Sequence, residues 1–275
     1  MPLPAPVRLD HRAVLSVTGA DAETFLNGLL TQSTLGLHTG ERRYGALLTP
    51  QGRIIADMIV ERTSEGFLLD TDANVAPALE KRLTMFKLRA QVTVAARDDL
   101  AATAFEGMPD PRSAAAPKRR YGVANPALSS DPSAYHAARI AAGLPEQGAD
   151  FGAEEVFPAD INMDLFNGVD FKKGCFVGQE VVSRMKRRGA ARRRTLPVRV
   201  IDATPGAILA GDFEIGALTS VADEAGLARV RIDRLAEAEA AGQAFTVNGA
   251  PLTFARPDWL AGELDALQTA KDQRA

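Results

Sequence analysis

The sequence has little of what a protein needs to hold a metal ion by itself, because its 275 residues include one cysteine and three histidines. A closed zinc or iron–sulfur site takes about four cysteine or histidine ligands, so we do not expect this chain to form one alone. A single cysteine also excludes an intrachain disulfide, which favours a reducing compartment.

Long apolar runs and a large excess of one charge are missing as well. Arginine or aspartate interrupts every apolar run before it reaches the roughly 20 residues that cross a bilayer. The 32 basic residues nearly balance 35 acidic ones, and no basic stretch followed by an apolar one opens the sequence. These absences predict a cytoplasmic protein without membrane contact, and they argue against a surface built throughout for nucleic acid.

The spacing of apolar residues predicts two architectures in succession. Up to about residue 100, alternating and helical patterns predict an antiparallel sheet with helices, including a hairpin whose turn is Thr49–Gly52. From Leu196 onward, short strand candidates broken by glycines predict a small antiparallel barrel. Leu260–Ala275 has the composition of a polar, frayed tail.

The most chemically specific stretch surrounds the only cysteine. Two glycines bracket Cys175, and the second of them, Gly178, opens a predicted amphipathic helix. The helix N-terminus and the adjacent Lys172 and Lys173 favour the thiolate, which is the form that acts as a nucleophile or a metal ligand. The alternative is a buried cysteine that behaves as a small apolar residue.

A basic run follows this cysteine. Between Val181 and Ile201 the chain has eight basic residues and no acidic one, which suits an anionic ligand tail, an RNA backbone or an acidic partner. No aromatic residue is interleaved, so stacking of bases is poorly supported, and a solvated helix face followed by a linker is the alternative. The eight residues are Arg184, Lys186, Arg187, Arg188, Arg192, Arg193, Arg194 and Arg199.

Carboxylates in apolar surroundings are the remaining candidates for chemistry. Asp57 lies in the otherwise apolar run Ile54–Val60, where a buried carboxylate needs a partner, a ligand or a cavity; an exposed strand end is the alternative. Asp160, Asn162 and Asp164 alternate with apolar residues and either line a pocket or face water. No spacing of the three histidines indicates a metal site or a catalytic pair.

The segment Lys173–Glu180 resembles the signature K-G-C-aromatic-x-G-Q-E of the YgfZ family of folate-binding proteins. That family is related to the glycine-cleavage T-protein and includes a mitochondrial iron–sulfur assembly factor of the same type. The similarity extends over most of the chain and is weakest in 108–121. Further segments that carry it are Thr18–Asp21, Phe25–Leu29, Leu48–Arg53, Lys87–Arg89, Arg139–Pro145 and Gly216–Ser220.

The resemblance implies an α+β fold with two similar antiparallel halves around a central folate pocket, as in T-proteins, followed by a small C-terminal β-barrel. We therefore predict a folate-binding core over 1–190, with halves at about 1–100 and 101–190. A barrel over 191–256 and a tail over 257–275 complete the predicted organisation.

The resemblance also implies binding of tetrahydrofolate or a derivative, and a role in the assembly or repair of iron–sulfur clusters in client enzymes, including enzymes that modify tRNA. Cys175 is then the functional thiol. One thiol can ligate a [2Fe–2S] cluster only together with another protein, so we predict a transient cluster shared with an iron–sulfur scaffold, a carrier or a client. We expect a monomer, and direct RNA binding is the less favoured interpretation of the basic run.

Seven residues are predicted to bind the folate: Asp57, Asp160, Asn162, Lys173, Gln179, Glu180 and Arg184. T-proteins have a pair of acids in the strand that matches Ile54–Val60, and one acid of that pair acts at the folate. Here Ala56 takes the first position and only Asp57 remains. Asp160 falls near a glutamate that contacts the pterin in T-proteins. The alternative function is a tetrahydrofolate-dependent aminomethyl transferase or demethylase, for which the acid pair is incomplete.

Overall fold

The computed structural model describes residues 4–187 and 191–272. The strands of this part of the chain are β1 (Val7–Arg8), β2 (Arg12–Thr18), β3 (Arg42–Leu48), β4 (Ile54–Arg62), β5 (Gly66–Asp72), β6 (Thr93–Ala96), β7 (Leu100–Met108), β8 (Arg119–Val123), β9 (Arg193–Val200), β10 (Gly206–Ala210), β11 (Phe213–Ala222), β12 (Ala225–Arg231), β13 (Phe245–Val247) and β14 (Ala250–Phe254). The helices are α1 (Ala22–Leu29), α2 (Ala76–Phe86), α3 (Ser133–Ala141), α4 (Gln179–Arg187), α5 (Ile232–Ala240), α6 (Asp258–Asp272) and a 3-10 helix (Pro158–Ile161). Among these described residues, no helix is long and apolar enough to cross a membrane.

The first sheet is antiparallel, with strand order β3-β4-β5-β2-β6. Strands β3 and β4 form the hairpin that the sequence predicts, and Gly52 in its turn has a φ of +82°. Helices α1 and α2 contribute Leu26 and Leu79 to a buried cluster that contains Met58 of the sheet. The residues of β4 from 54 to 60 are all buried, which places Asp57 inside the protein.

The second sheet has the order β1-β7-β8 and packs with α3. Strand β1 comes from the N-terminal part of the chain and pairs with β7, where Val7 lies opposite Ala104. Tyr135 of α3 is fully buried against this sheet. The N-terminal part of the chain therefore contributes one strand to each sheet, β1 to the second and β2 to the first.

The C-terminal strands form a closed barrel in the order β10-β11-β12-β9-β14-β13, as the glycine-broken strand pattern predicts. Its interior is apolar and is covered by Leu235 of α5 and Leu260 of α6. The prediction of a frayed tail over Leu260–Ala275 is wrong for the residues up to 272, because α6 turns Leu260, Leu264 and Leu267 toward the barrel. Residues 273–275 of the predicted tail lie outside the described residues.

A buried ionic network joins the first sheet to the second. The Asp70 carboxylate on β5 accepts hydrogen bonds from Arg12 Nε at 2.7 Å, from Tyr121 Oη at 2.9 Å and from Arg119 Nη1. Burial alone would raise the pKa of Asp70, but the guanidinium groups of Arg119 and Arg12 outweigh burial and lower this pKa to about 2. Asp70 is therefore an ionised group on which strands of both sheets converge.

Glu146 extends this network toward the barrel. Its carboxylate lies 3.4 Å from Arg12 Nη1 and 3.2 Å from Arg139 Nε. Arg139 also donates to Asp150 at 2.6 Å and to Ser220 of the barrel strand β11 at 3.0 Å. Buried charges thus connect the first sheet, helix α3 and the barrel.

Candidate functional site

Cys175 is exposed in the segment that leads into α4. The alternative of a buried, purely structural cysteine is therefore wrong. The residues on either side of it are held by the core: Lys173 before it, and Phe176 and Gly178 after it. The thiol is thus presented to solvent by a segment that is fixed at both ends.

Lys173 fixes the segment on its N-terminal side. Its Nζ donates to the carbonyl oxygens of Leu30 at 2.6 Å, of Asn27 and, at 3.4 Å, of Gln32. These carbonyls lie at and just beyond the C-terminal end of α1, where backbone oxygens lack intrahelical donors and favour a cation. Burial lowers the pKa of Lys173 to about 8. The ammonium group, which the sequence assigns to folate binding, is directed at the backbone of α1.

Phe176 and Gly178 fix the segment on its C-terminal side. Phe176 is buried in a cluster with Leu48, Ile54 and Val182. Gly178 has a φ of +79°, and a Cβ atom at this position would lie 2.6 Å from the carbonyl oxygen of Thr49. The segment therefore sits directly on the turn of the β3–β4 hairpin, and only a glycine permits this approach.

The other predicted residues of this segment belong to α4. Glu180 and Arg184 are exposed and Gln179 is partly buried. Within the described part of the chain, none of their three side chains has a hydrogen-bond or ion-pair partner. The structure thus places them on the helix that follows Cys175, free of competing contacts.

Asp57 has the partner that its apolar surroundings require. Tyr44 Oη donates to Asp57 Oδ2 at 2.8 Å, while Oδ1 is buried without a hydrogen-bond partner among the described residues. Burial raises the pKa of Asp57, and the charge of Arg12 opposes this effect only in part. Asp57 therefore offers one unused acceptor atom inside the core, and the alternative of an exposed strand end is wrong.

Asp160 and Asn162 are both buried, and both contact the barrel strand β9. Asp160 Oδ2 accepts from the backbone N–H of Phe157 at 3.0 Å, and burial raises the pKa of this carboxyl. The side chain of Asn162 donates to the carbonyl oxygen of Thr195 at 2.6 Å and accepts from its N–H at 3.4 Å. Thr195 Oγ1 also donates to the carbonyl oxygen of Asp160 at 2.9 Å, so the barrel is attached to the 3-10 helix and to the residue that follows it.

The basic run does not form one continuous cationic surface. Arg194 is buried, and Arg199 on β9 pairs with Glu224 at 2.7 Å. Arg188 lies outside the described residues. The exposed members that make no ion pair within the described ranges are Arg184, Arg187, Arg192 and Arg193. Alternation along β9 explains part of this division, since Arg193 and Arg194 face opposite sides of the strand.

Sequence reasoning missed the grouping of two histidines around Glu146. The rings of His11 and His136 lie 5.2 Å apart, and His11 Nε2 is 3.6 Å from Glu146 Oε1. Because more than a hundred residues separate these histidines in the chain, no local pattern could have signalled their proximity. Among the described residues, no group of three or more His, Cys, Asp or Glu side chains is arranged to hold a metal ion.

Two family models match the chain. Residues 9–112 match the GCVT N-terminal domain, and residues 192–262 match the C-terminal beta-barrel domain of CAF17. The crystal structure of the glycine cleavage system aminomethyltransferase T from Bartonella henselae is similar, with a TM-score of 0.67, 17% identity, and coverage of 93% of this chain and 85% of that one. At this identity the likeness concerns the fold alone. It confirms the T-protein-like α+β fold with a C-terminal barrel.

Curated relatives are iron–sulfur cluster assembly factors named IBA57. The chain is 33% identical to the human protein over 72% of this chain and 67% of the relative, and 31% identical to the mouse protein over 78% and 70%. For the Neurospora crassa homolog the identity is 32%, over 69% of this chain and 52% of the relative. The chain therefore spans about half the length of that fungal relative.

These names test two predictions from the sequence, the cellular compartment and the protein family. All three relatives are named mitochondrial proteins, so the prediction of a cytoplasmic protein is wrong. The expectation of an iron–sulfur assembly family is confirmed at the level of IBA57. The narrower placement in the YgfZ family stays a prediction.

Proposed function

Because the chain belongs to the IBA57 family of iron–sulfur cluster assembly factors, we propose that it assists the assembly or repair of iron–sulfur clusters, with Cys175 as its functional thiol. The observation that carries this proposal is the exposed thiol on a segment fixed by Lys173 and Phe176. Such a thiol is accessible to a second protein without rearrangement of the core.

The cluster itself is cargo that this chain shares with another protein. Cys175 is the one cysteine of the sequence, and the described residues provide no grouping of further metal ligands. A [2Fe–2S] cluster needs about four ligands, so a scaffold, a carrier or a client enzyme supplies the others. A cluster held by one ligand from this chain is transient, which suits transfer to clients, including enzymes that modify tRNA.

The experiment that tests this function replaces Cys175 with alanine. In cells that lack the gene, we expect Cys175→Ala to restore the activity of [4Fe–4S] enzymes no better than an empty vector, because the transferred cluster loses its ligand. The free energy of unfolding is expected to stay within about 0.5 kcal/mol of wild type, since the side chain is exposed. Thr84→Ala, at an exposed residue of α2 outside the cysteine segment, is the control and should restore activity fully. Full restoration by Cys175→Ala would refute the role of the thiol.

We also propose that tetrahydrofolate or a derivative binds in the core with Asp57 as its acceptor. The supporting observation is the unpartnered Oδ1, since a buried carboxylate oxygen favours an N–H donor such as those of a pterin. The side chains of Asp160, Asn162 and Lys173 fit less well because each already makes a hydrogen bond with a backbone group. Gln179, Glu180 and Arg184 stay predicted contacts of the folate.

Aminomethyl transfer is not part of this proposal. T-proteins use an acid pair, and the position that precedes Asp57 is held by Ala56, which is fully buried. Folate would then act as a bound ligand, and the one-carbon chemistry of the fold relatives would be absent. Incubation with tetrahydrofolate and an aminomethyl donor should give no turnover.

Calorimetry with tetrahydrofolate tests the contact at Asp57. Asp57→Asn keeps the shape of the side chain and removes its charge, so we expect the affinity to fall roughly 10-fold to 100-fold, the usual contribution of a charged hydrogen bond. Asp160→Asn is the control and should bind within about twofold of wild type, because its carboxylate already caps a backbone N–H. Equal affinity of wild type and Asp57→Asn would rule out this contact.

A further inference from the structure

We propose that a cavity beside α4 is the docking site for an acidic segment of a partner protein, which inserts one bulky apolar side chain. The proposal deepens the proposed function and rests on it only in identifying the partner as a donor or acceptor of the cluster. Three independent properties of the cavity support it: its size, an unmatched polar atom in its wall and the charge at its edge.

The size of the cavity selects a single side chain. The cavity has a volume of ≈ 150 Å³. Its wall includes Val182 and Met185 of α4, Ala266 of α6, and Phe171 and Ala191 from the segments before and after α4. A cavity of about this volume holds one benzene-sized group, whereas drug-sized ligands need about 300–1,000 Å³. One phenylalanine or leucine side chain fits, and a folate does not.

The wall of the cavity also contains a polar atom without a partner. Arg194 lines the cavity with its side chain 1% exposed. Its Nη1 donates to Asp164 at 2.6 Å, and its Nη2 lies 2.8 Å from Glu263, but its Nε–H is buried without an acceptor among the described residues. Buried donors are nearly always matched, so this N–H points to a missing acceptor. Because this Nε is enclosed, the main-chain carbonyl of an inserted peptide, or a carboxylate beside the anchor residue, would supply one once the side chains of the wall adjust to the insertion.

The edge of the cavity is cationic. Lys186 lines it with its side chain half exposed and lies 3.7 Å from Asp164, so the cations free to meet a partner are its neighbours. Arg187 follows Lys186 in the chain and Arg192 follows Ala191, and both arginines are exposed without an ion pair in the described ranges. The acidic residues of the wall, Asp164 and Glu263, are already paired with Arg194.

Charge complementarity therefore favours an acidic partner. RNA is anionic as well, but it has no aliphatic or aromatic side chain on a flexible backbone to fill the apolar part of the cavity. An acidic protein segment can fill the cavity with an apolar side chain and pair its carboxylates with the cations at the edge. Because α4 begins four residues after Cys175, a segment bound here is attached to a protein that lies next to the thiol.

Selection from a random peptide library on the full chain is the experiment that tests this site. We expect enrichment of acidic peptides with one phenylalanine, leucine or similar residue. Fluorescence anisotropy of the most enriched peptide should then show at least tenfold weaker binding when that residue is replaced by alanine, the effect of leaving one buried apolar side chain out. Added salt should weaken binding as well.

Three variants of this chain locate the site. Ala266→Trp adds a ring at an exposed position in the wall and should weaken binding at least tenfold without unfolding the chain. Arg192→Glu should weaken it roughly threefold to tenfold through repulsion. Arg199→Glu is the control, because Arg199 is exposed but pairs with Glu224 away from the cavity, and it should change the affinity less than twofold.

The other possible results of these experiments distinguish the docking site from the proposed function. No enrichment, peptides without acidic residues, or Ala266→Trp binding as wild type does would overturn the docking site. Single-stranded RNA that competes equally on wild type and Ala266→Trp would identify a phosphate-binding surface instead and overturn it too. If Cys175→Ala fails in cells while no peptide is enriched, the docking site falls and the proposed function stands. If peptides bind as expected but Cys175→Ala restores activity, the docking site stands and the proposed role of the thiol falls.

Discussion

Replacing Gly178 with alanine is expected to lower the free energy of unfolding by roughly 3 kcal/mol and to abolish function in cells. The methyl group would lie 2.6 Å from the carbonyl oxygen of Thr49, so the backbone must shift, and overpacking of this kind costs about 1–3 kcal/mol. The φ of +79° adds about 1–2 kcal/mol for a residue with a Cβ atom. The same shift displaces Cys175 from the place where the core presents it.

Urea unfolding and rescue of [4Fe–4S] enzyme activity measure the two effects. Gly174→Ala is the matched control, because Gly174 lies in the same segment, its added Cβ has no atom within 4 Å apart from those of its chain neighbours, and its φ is not positive. We expect this control to stay within about 0.5 kcal/mol of wild type. Equal stability of the two variants would show that the hairpin turn does not hold the cysteine segment.

The Asp70→Asn substitution is expected to destabilise the fold by about 3–5 kcal/mol, because it leaves buried guanidinium groups without their counter-charge. Arg119 loses its charged acceptor, and Arg12 keeps only the more distant carboxylate of Glu146, at 3.4 Å. The amide preserves the shape, so the loss reports charge and not packing. Asp99→Asn removes a carboxylate from an exposed pair with Arg97 and should leave the stability unchanged within error.

The dependence of stability on pH gives an independent measurement of Asp70. Its pKa is lowered from 3.8 to about 2 in the folded protein, so its stabilising contribution is complete above pH 4 and is lost as the pH falls through 2. At about 1.4 kcal/mol per unit, the difference between wild type and Asp70→Asn should shrink by about 2 kcal/mol between pH 5 and pH 2. A constant difference would contradict an ionised Asp70.

Local patterns predicted the elements that repeat over short distances. The hairpin of β3 and β4 follows from two apolar runs around a Pro-x-Gly turn, and the barrel follows from strands broken by glycines. The spacing of apolar residues did not predict helices α5 and α6, because their apolar faces are interrupted by alanine and charged residues. Helix α6 is stabilised by the packing of Leu260 on a barrel that the sequence of the helix alone does not reveal.

The sequence indicated which residues belong to the candidate site, but not which residues they contact. The glycines around Cys175 indicated a special backbone, and Asp57 stood out as a carboxylate in an apolar run. The attachment of Lys173 to α1 joins residues more than a hundred positions apart, as does the meeting of His11 with His136. Arg194 meets acidic partners from two other segments, Asp164 and Glu263. Such contacts depend on the tertiary fold, and no short spacing encodes them.

The approach of Gly178 to the hairpin turn couples two segments that lie far apart in the sequence, so that their residues must change together. Gly52 has a φ of +82°, and a Cβ atom added to it would lie 3.1 Å from Val181 Cβ and 3.6 Å from the carbonyl oxygen of Gly178, so neither side has room to gain an atom alone. We therefore expect this chain to tolerate a larger residue at one of these positions only together with a compensating change at the other. Grafting the cysteine segment onto another protein of this fold would require transplanting the hairpin turn with it.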